Sequence, residues 1–179
     1  IADYYAMISH VDWCVGNILD VLREKNLLED TIIVFTGDNG LAVGQHGLMG
    51  KQKIYEHSVG VPLVLRGPGV PKGRVDERFV YLLDIFPTLC DLCGMETPPT
   101  VDGLSFAPMF RDPDYVTRPE LYLTFQSRIR GVMDERYKLI EYRTEDLKLT
   151  QLFDLPMLGQ IPSFAENERK KAGLSAQKA

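Results

Sequence analysis

Two short apolar runs limit most strongly what this chain can fold into. The first extends from Thr31 to Thr36 and follows a helical pattern, and the second extends from Val61 to Leu65 and ends at Gly and Pro residues. Continuous apolar runs rich in β-branched residues are typical of strands buried on both faces of a parallel sheet. The alternation of helix and apolar strand therefore predicts an α/β fold with a parallel sheet and flanking helices.

Two segments carry the sequence signals of helices. Between Ile1 and Asn26, apolar residues recur at spacings of three and four, which predicts an amphipathic helix with one apolar stripe. A second helix is predicted after Asp84, an acceptable N-cap, with Pro87 in its first turn and Gly94 at its end. The residues of the first stripe are Ile8, Val11, Val15, Ile18, Leu19 and Leu22.

The pattern changes after residue 118, where short strand candidates separated by polar turns replace the helices. Four such candidates in succession predict an antiparallel meander, so we divide the chain into residues 1–118 and a small β subdomain, residues 119–179. The last stretch, residues 165–179, is charged and weakly patterned, which indicates a frayed helix or a disordered tail. The strand candidates are Leu121 to Phe125, Ser127 to Met133, Tyr137 to Tyr142 and Gln151 to Leu155.

Composition excludes several classes of protein. The chain has 179 residues, 45% of them hydrophobic, and a net charge of -5, with no Lys/Arg cluster long enough to follow a phosphate backbone. We therefore expect no nucleic-acid partner, and no apolar run reaches the roughly 20 residues of a membrane span. The three cysteines do not form a disulfide framework, and Cys90 and Cys93 are predicted to be small buried hydrophobes rather than a redox or metal pair.

A Gly-rich loop follows the first apolar strand and carries chemically informative side chains. Asp38 and Asn39 offer hard oxygen donors at the strand's carboxyl end, where α/β sheets bind ligands, and these donors suit Ca²⁺ or Mg²⁺. His46 and Lys51 follow, and an imidazole and an ammonium group near a divalent cation suit an anionic tetrahedral group. Taken alone, Asp-Asn-Gly also describes an ordinary turn, and two donors are too few for a complete calcium site.

An ordered series of motifs resembles the C-terminal half of the sulfatase family in the alkaline phosphatase superfamily. The resemblance covers about residues 1–155 and implies an alkaline-phosphatase-like α/β catalytic domain, of which residues 1–118 would be the C-terminal part. The motifs are Thr36-Gly-Asp-Asn-Gly40, Gly44-Gln-His-Gly47, Gly50-Lys51, Tyr55-Glu56, Val61-Pro-Leu63, Arg66-Gly-Pro-Gly69, Asp84-Ile-Phe-Pro-Thr88, Val101-Asp-Gly-Leu-Ser105 and Tyr137-Lys-Leu-Ile140.

The resemblance implies a role for each residue of the loop. Asp38 and Asn39 would be two ligands of an active-site calcium, and Lys51 would contact the sulfate and stabilise charge on the leaving alkoxide. His46 matches a histidine that is frequent in this loop and would act near the substrate, where it could donate a proton to the leaving oxygen. The family's nucleophile is a formylglycine made from a Cys or Ser in a Cys/Ser-x-Pro-x-Arg motif.

Several family features are absent from these 179 residues. Neither the formylglycine motif nor the paired aspartates that complete the calcium site occur, so we expect both upstream of Ile1. Gly60 stands where relatives often carry an Arg, and Asp154-Leu-Pro-Met replaces the usual Asp-Pro-x-Glu. We therefore expect a sulfatase fragment that is inactive by itself and that, in the whole enzyme, hydrolyses a small-molecule or carbohydrate sulfate ester.

Two rival functions stay open at the level of sequence. A phosphatase, phosphodiesterase or phosphonate hydrolase of the same superfamily shares the chemistry of a tetrahedral anion. A non-catalytic truncated module would instead bind a partner through its sheet edge. Exposed apolar edges lead us to expect a homo-oligomer or a poorly soluble chain, and the family resemblance favours a periplasmic or secreted location.

Overall fold

A computed structural model of the protein describes residues 1–144 and 148–155. Its first element is helix α1 (Ala2–Glu24), which confirms the helix predicted from the spacing of apolar residues. None of the α1 residues is buried, and Ile8, Val11 and Ile18 of the apolar stripe are 49%, 49% and 61% exposed. In the part of the chain described, no helix combines the length and the apolarity that crossing a membrane requires.

The two apolar runs form strands β1 (Ile33–Thr36) and β4 (Leu63–Arg66), which pair with each other. Their pairing is antiparallel, with Ile33 opposite Arg66 and Thr36 opposite Leu63, and so differs from the parallel arrangement expected within the α/β fold. A parallel pair needs a crossover, usually a helix of several turns. The connection between β1 and β4 contains only a four-residue helix, and the chain returns beside β1 in the opposite direction.

The connection between β1 and β4 consists of three small elements. Strands β2 (Ala42–Val43) and β3 (Met49–Gly50) form an antiparallel hairpin, and helix α2 (Glu56–Val59) follows it. The hairpin tip is a single 3-10 turn, Gln45–Gly47, whose ends are closed by backbone hydrogen bonds between Gly44 and Leu48 and between Gln45 and Leu48. The loop singled out in the sequence is therefore a folded hairpin.

Helix α3 (Ile85–Leu92) forms as predicted, with Pro87 in its first turn and Gly94 beyond its end at a left-handed φ of 66°. Asp84 precedes the helix, but its carboxylate does not cap it. The carboxylate is fully buried and accepts hydrogen bonds from the backbone N–H groups of Tyr81 and Leu104 and from the side chain of Arg118. This ion pair ties the start of α3 to the segment that leads into the C-terminal sheet.

The prediction for the two α3 cysteines is half right. Cys90 is 3% exposed, as a small core residue should be. Cys93 is exposed, because it lies after the last residue of α3, where the helix ends and the chain turns away.

The four predicted C-terminal strands form one antiparallel sheet in sequential order, which confirms the meander. A tight turn around Asp134 joins β6 and β7, with the Asp134 carboxylate accepting backbone hydrogen bonds from Arg136 and Tyr137. The division at residue 118 stays a prediction, and residues 165–179 lie outside the described part of the chain. The strands are β5 (Leu121–Phe125), β6 (Ile129–Met133), β7 (Tyr137–Arg143) and β8 (Lys148–Asp154).

The main core cluster lies on one face of this sheet, between the sheet and the segment that enters α2. Ile54 is 2% exposed and packs over Gly131, where an added Cβ would lie 2.8 Å from the Ile54 Cδ1 atom. Tyr55 and Val59 pack against the same cluster. The C-terminal sheet therefore supports the loop that carries the predicted site. The buried members of the cluster are Ile54, Ile129, Ile140, Tyr142 and Phe153.

Candidate functional site

Asp38 and Asn39 form a compact turn directly after β1. The Asp38 carboxylate accepts a hydrogen bond of 2.9 Å from the Asn39 backbone N–H through Oδ1, and the Asn39 side-chain NH₂ donates to the Gly40 carbonyl at 3.0 Å. Asn39 uses its amide nitrogen within the turn, so its amide oxygen is the group left to serve as an acceptor. The donor chemistry of this turn, one carboxylate and one amide oxygen, fits a hard cation such as Ca²⁺.

Two oxygen donors do not complete a calcium shell, which takes six to eight. Among the described residues, no group of three His, Cys, Asp or Glu side chains is arranged to hold a metal ion. A cation bound by Asp38 and Asn39 would therefore need further ligands besides these two residues.

Gly40 fixes the Asp38–Asn39 turn against helix α2. Its backbone N–H donates to the Ser58 carbonyl at 2.9 Å, and a Cβ at this position would lie 2.1 Å from the His57 carbonyl oxygen. Only glycine permits this close backbone approach. The two oxygen donors are consequently positioned by α2 as well as by β1.

Lys51 follows β3 directly, and its side chain is exposed. Together with Asp38 and Asn39 it lines a cavity of about 1180 Å³. The structure thus places a carboxylate, an amide and an ammonium group, up to 13 positions apart in the sequence, on the wall of one large cavity. An anion bound by Lys51 would share this cavity with the hard oxygen donors of Asp38 and Asn39.

His46 takes a different position. It lies at the hairpin tip with a left-handed backbone, φ 56° and ψ 20°, which is uncommon for a residue other than glycine. Its ring stacks on Tyr55 with centroids 4.3 Å apart and lies 5.4 Å from the His57 ring. Among the described residues, those that line the cavity with Lys51 do not include His46. Three of the four predicted site residues therefore line one large cavity, and the fourth packs against Tyr55 and His57.

Sequence reasoning missed an ion pair between Lys138 in β7 and Glu56, the first residue of α2. The Lys138 side chain is 2% exposed, and burial lowers the pKa of its ammonium group, an effect that the neighbouring Glu56 carboxylate opposes. A signal was present in the sequence: Lys138, Ile140 and Tyr142 alternate along β7, so they share one face of the sheet. A lysine in register with two core residues needs a buried partner.

Comparison with known proteins supplies the family. The family model described as Sulfatase matches residues 1–95. The choline-sulfatase of Rhizobium meliloti (strain 1021) is 33% identical over 172 residues, a match that covers 93% of this chain and 33% of that protein. Arylsulfatase K of Bos taurus is 31% identical over 166 residues, covering 86% of this chain and 31% of that protein. The chain spans about a third of the length of the curated relatives it matches.

Solved structures have the same fold. A protein solved in complex with its substrate D-glucosamine-2-N,6-O-disulfate is 26% identical, with a TM-score of 0.77, and the match covers 96% of this chain and 38% of that one. The phosphonate monoester hydrolase of Agrobacterium radiobacter is 30% identical with a TM-score of 0.75 over the same shares. The expected α/β class is confirmed, and the chain belongs to the sulfatase family of the alkaline phosphatase superfamily.

Proposed function

We propose that this chain supplies one wall of the active site of a sulfuric ester hydrolase, and that the whole protein releases inorganic sulfate from a sulfate ester. The observation that carries the proposal is the common cavity of Asp38, Asn39 and Lys51. These are the residues that the sulfatase motifs associate with the cation and the sulfate, and in three dimensions they face one space.

Each of these residues has a role that follows from its chemistry. Asp38 and Asn39 would hold a calcium ion through one carboxylate and one amide oxygen, and the bound ion supplies positive charge to the sulfate oxygens. The Lys51 ammonium group is a compact point charge at the cavity wall. It neutralises a non-bridging oxygen of the bound sulfate and, as the ester bond breaks, the negative charge that develops on the leaving oxygen.

For His46 we propose a supporting role in addition to the predicted proton donation. Its ring stacks on Tyr55, and this contact holds the tip of the hairpin whose second strand leads into Lys51. A His46→Gln variant separates the two roles. Loss of a proton donor removes the basic limb of the pH profile of kcat, whereas loss of stacking alone lowers activity at every pH.

The substrate class we favour is a sulfate ester of a small molecule or carbohydrate. Support comes from relatives named choline-sulfatase and arylsulfatase K and from a structural neighbour in complex with a disulfated glucosamine. A phosphonate monoester hydrolase is the second candidate, because such an enzyme from Agrobacterium radiobacter matches 96% of this chain at 30% identity. Both candidates use a tetrahedral anion and a cationic pocket.

A direct assay distinguishes the two candidates. The protein expressed from its complete reading frame is incubated with an aryl sulfate, a sulfated glucosamine and an aryl phosphonate monoester, with and without Ca²⁺. We expect kcat/KM to be highest for a sulfate ester, and chelation to abolish turnover. Preferential hydrolysis of the phosphonate ester would favour the second candidate, and no hydrolysis of any sulfate ester would refute the proposed function.

A further inference from the structure

We propose that the ion pair between buried Lys138 and partly exposed Glu56 is a positioning device that sets the location of Lys51 and of the Asp38–Asn39 turn relative to the C-terminal sheet. The proposal rests on the proposed function of those three residues. It adds that the β subdomain takes part in building the active site, through Lys138, although Lys138 contacts neither substrate nor cation.

The placement of Lys138 is the first argument. It occupies the core face of β7, opposite Met133 of β6 and Phe153 of β8, where an apolar side chain would fit. A buried ion pair is seldom more stable than the hydrophobic residues that could replace it, so stability alone does not explain a lysine at this position. A directional contact that fixes register is the best-attested use of such a pair.

The second argument is what Glu56 is connected to. Three consecutive residues of the chain, beginning three positions after Lys51, are each fastened to the sheet. Ile54 packs over Gly131 of β6, Tyr55 donates to Gln151 of β8 at 2.9 Å, and Glu56 pairs with Lys138 of β7. In contrast, Lys51 and Gln52 are exposed, so the position of the Lys51 backbone depends on the anchors that flank it.

The third argument is that α2 connects both halves of the site. Glu56 begins α2, and Ser58 of the same helix accepts the Gly40 hydrogen bond that holds the Asp38–Asn39 turn. Movement of α2 along the sheet would therefore displace the oxygen donors and Lys51 together. The contact made by Ile54 is apolar and tolerates sliding, whereas a one-residue slip would separate Glu56 from Lys138 and leave a buried charge unpaired.

The structure offers a stability control in a second ion pair, Asp84–Arg118. Asp84 is fully buried and Arg118 Nη2 lies 2.6 Å from its Oδ1 atom, so removal of Arg118 leaves a fully buried charge without its partner, whereas removal of Lys138 leaves Glu56, which is 36% exposed. The pair joins the start of α3 to the approach to β5, and within the described residues neither partner hydrogen-bonds to α2 or the hairpin. Arg118→Met should therefore cost at least as much stability as Lys138→Met, without the proposed displacement of the site.

The test uses the protein from its complete reading frame, with variants Lys138→Met, Lys138→Met/Glu56→Gln and Arg118→Met, assayed well below their melting temperatures. We expect Lys138→Met to lower kcat for the sulfate ester by about 10- to 100-fold, the usual effect of a lost supporting contact, with KM changed far less. Arg118→Met should keep kcat within about twofold, since it acts on stability alone. The double variant should melt close to Lys138→Met, because the Glu56 side chain is 36% exposed and water can solvate it without Lys138, and it should not regain kcat.

A second readout does not depend on turnover. Amide hydrogen exchange of residues 48–56 should accelerate in Lys138→Met and stay at the wild-type rate in Arg118→Met, because only the first variant releases one of the three anchors of that segment. Unchanged exchange in Lys138→Met would overturn the positioning role, as would a kcat that falls equally in Lys138→Met and Arg118→Met. A wild-type protein inactive on sulfate esters would instead refute the proposed function, and the exchange rates would still decide the positioning role.

Discussion

Substitution of Gly40 by alanine tests the link between the Asp38–Asn39 turn and α2. An alanine Cβ would lie 2.1 Å from the His57 carbonyl oxygen, whereas ordinary van der Waals contact begins at 3.4 Å, so the two backbones must separate by about 1.3 Å. Both sides of this contact are backbone, and neither can rotate away. The Gly40 φ lies outside the left-handed region, so the clash and not backbone strain determines the cost.

The magnitude follows from the two interactions that are disturbed. Overpacking costs about 1 to 3 kcal/mol, and losing the 2.9 Å hydrogen bond from Gly40 to Ser58 adds about 1 kcal/mol. We therefore expect Gly40→Ala to lower the free energy of unfolding by about 2 to 4 kcal/mol. Urea unfolding followed by far-UV circular dichroism measures this difference directly.

Gly16→Ala is the matched control for the same chemical change. Gly16 lies inside α1, and nothing stands within 4 Å of a Cβ built there, so alanine should stabilise the helix by about 0.5 to 1 kcal/mol. If Gly40→Ala unfolds within about 0.5 kcal/mol of the wild type, the size of an ordinary surface substitution, the proposed close approach of the turn to α2 is refuted.

Three further predictions concern the site and the acid stability. In the protein from its complete reading frame, Lys51→Ala should lower kcat by about 100-fold or more, because it removes a preorganised charge contact. Steady-state kinetics measure this change, and an unchanged kcat would exclude Lys51 from the mechanism. Asp38→Ala in the same protein should raise the Ca²⁺ concentration for half-maximal activity by more than about tenfold. Calorimetry on the 179-residue chain alone should detect no tight Ca²⁺ binding, because two donors are too few. Micromolar Ca²⁺ binding by this chain that Asp38→Ala abolishes would contradict the need for ligands from outside it. The Arg78 guanidinium, by hydrogen bonding to Asp76, holds the pKa of that carboxyl below its ordinary value of 3.8. The resulting stabilisation is present above pH 3.8 and is lost as pH falls through the lowered pKa, so Asp76→Asn should flatten the acid limb of the unfolding free energy measured against pH.

Elements specified by local patterns were predicted well. The spacing of apolar residues in α1, the Pro87 and Gly94 signals of α3, and the strand alternation after residue 118 each act over a few neighbouring positions. Such signals can be recognised in a single sequence because the same side chains that form the pattern make the local contacts. The direction in which β1 and β4 pair is different, since it depends on how the whole connection between them folds back.

The location of His46 shows the same limit within the site. Sequence reasoning gathered four polar residues of one loop, because residues close in sequence are expected to be close in space. In the structure His46 stands at the tip of the β2–β3 hairpin, in a left-handed backbone conformation, and its ring stacks on Tyr55. Of the four residues, Asp38, Asn39 and Lys51 flank the hairpin at its open end and line the cavity, and His46 is not among its described lining residues.

Of the two residues that we propose to hold this arrangement together, Lys138 comes from the region that the sequence predicts to be a separate β subdomain. Lys138 and Glu56 are 82 positions apart, and both stand in family motifs to which the resemblance assigns no catalytic role. What identifies Lys138 is a conflict between two patterns: a charged residue at a position where the alternation of β7 demands an apolar one. A stable sheet does not need that conflict, because an apolar residue would serve the core at least as well. The charged residue is explained if the sheet also has to hold α2 at one register, because α2 in turn positions both the oxygen donors and Lys51. In that case a division into a catalytic part and an accessory sheet does not hold at the active site.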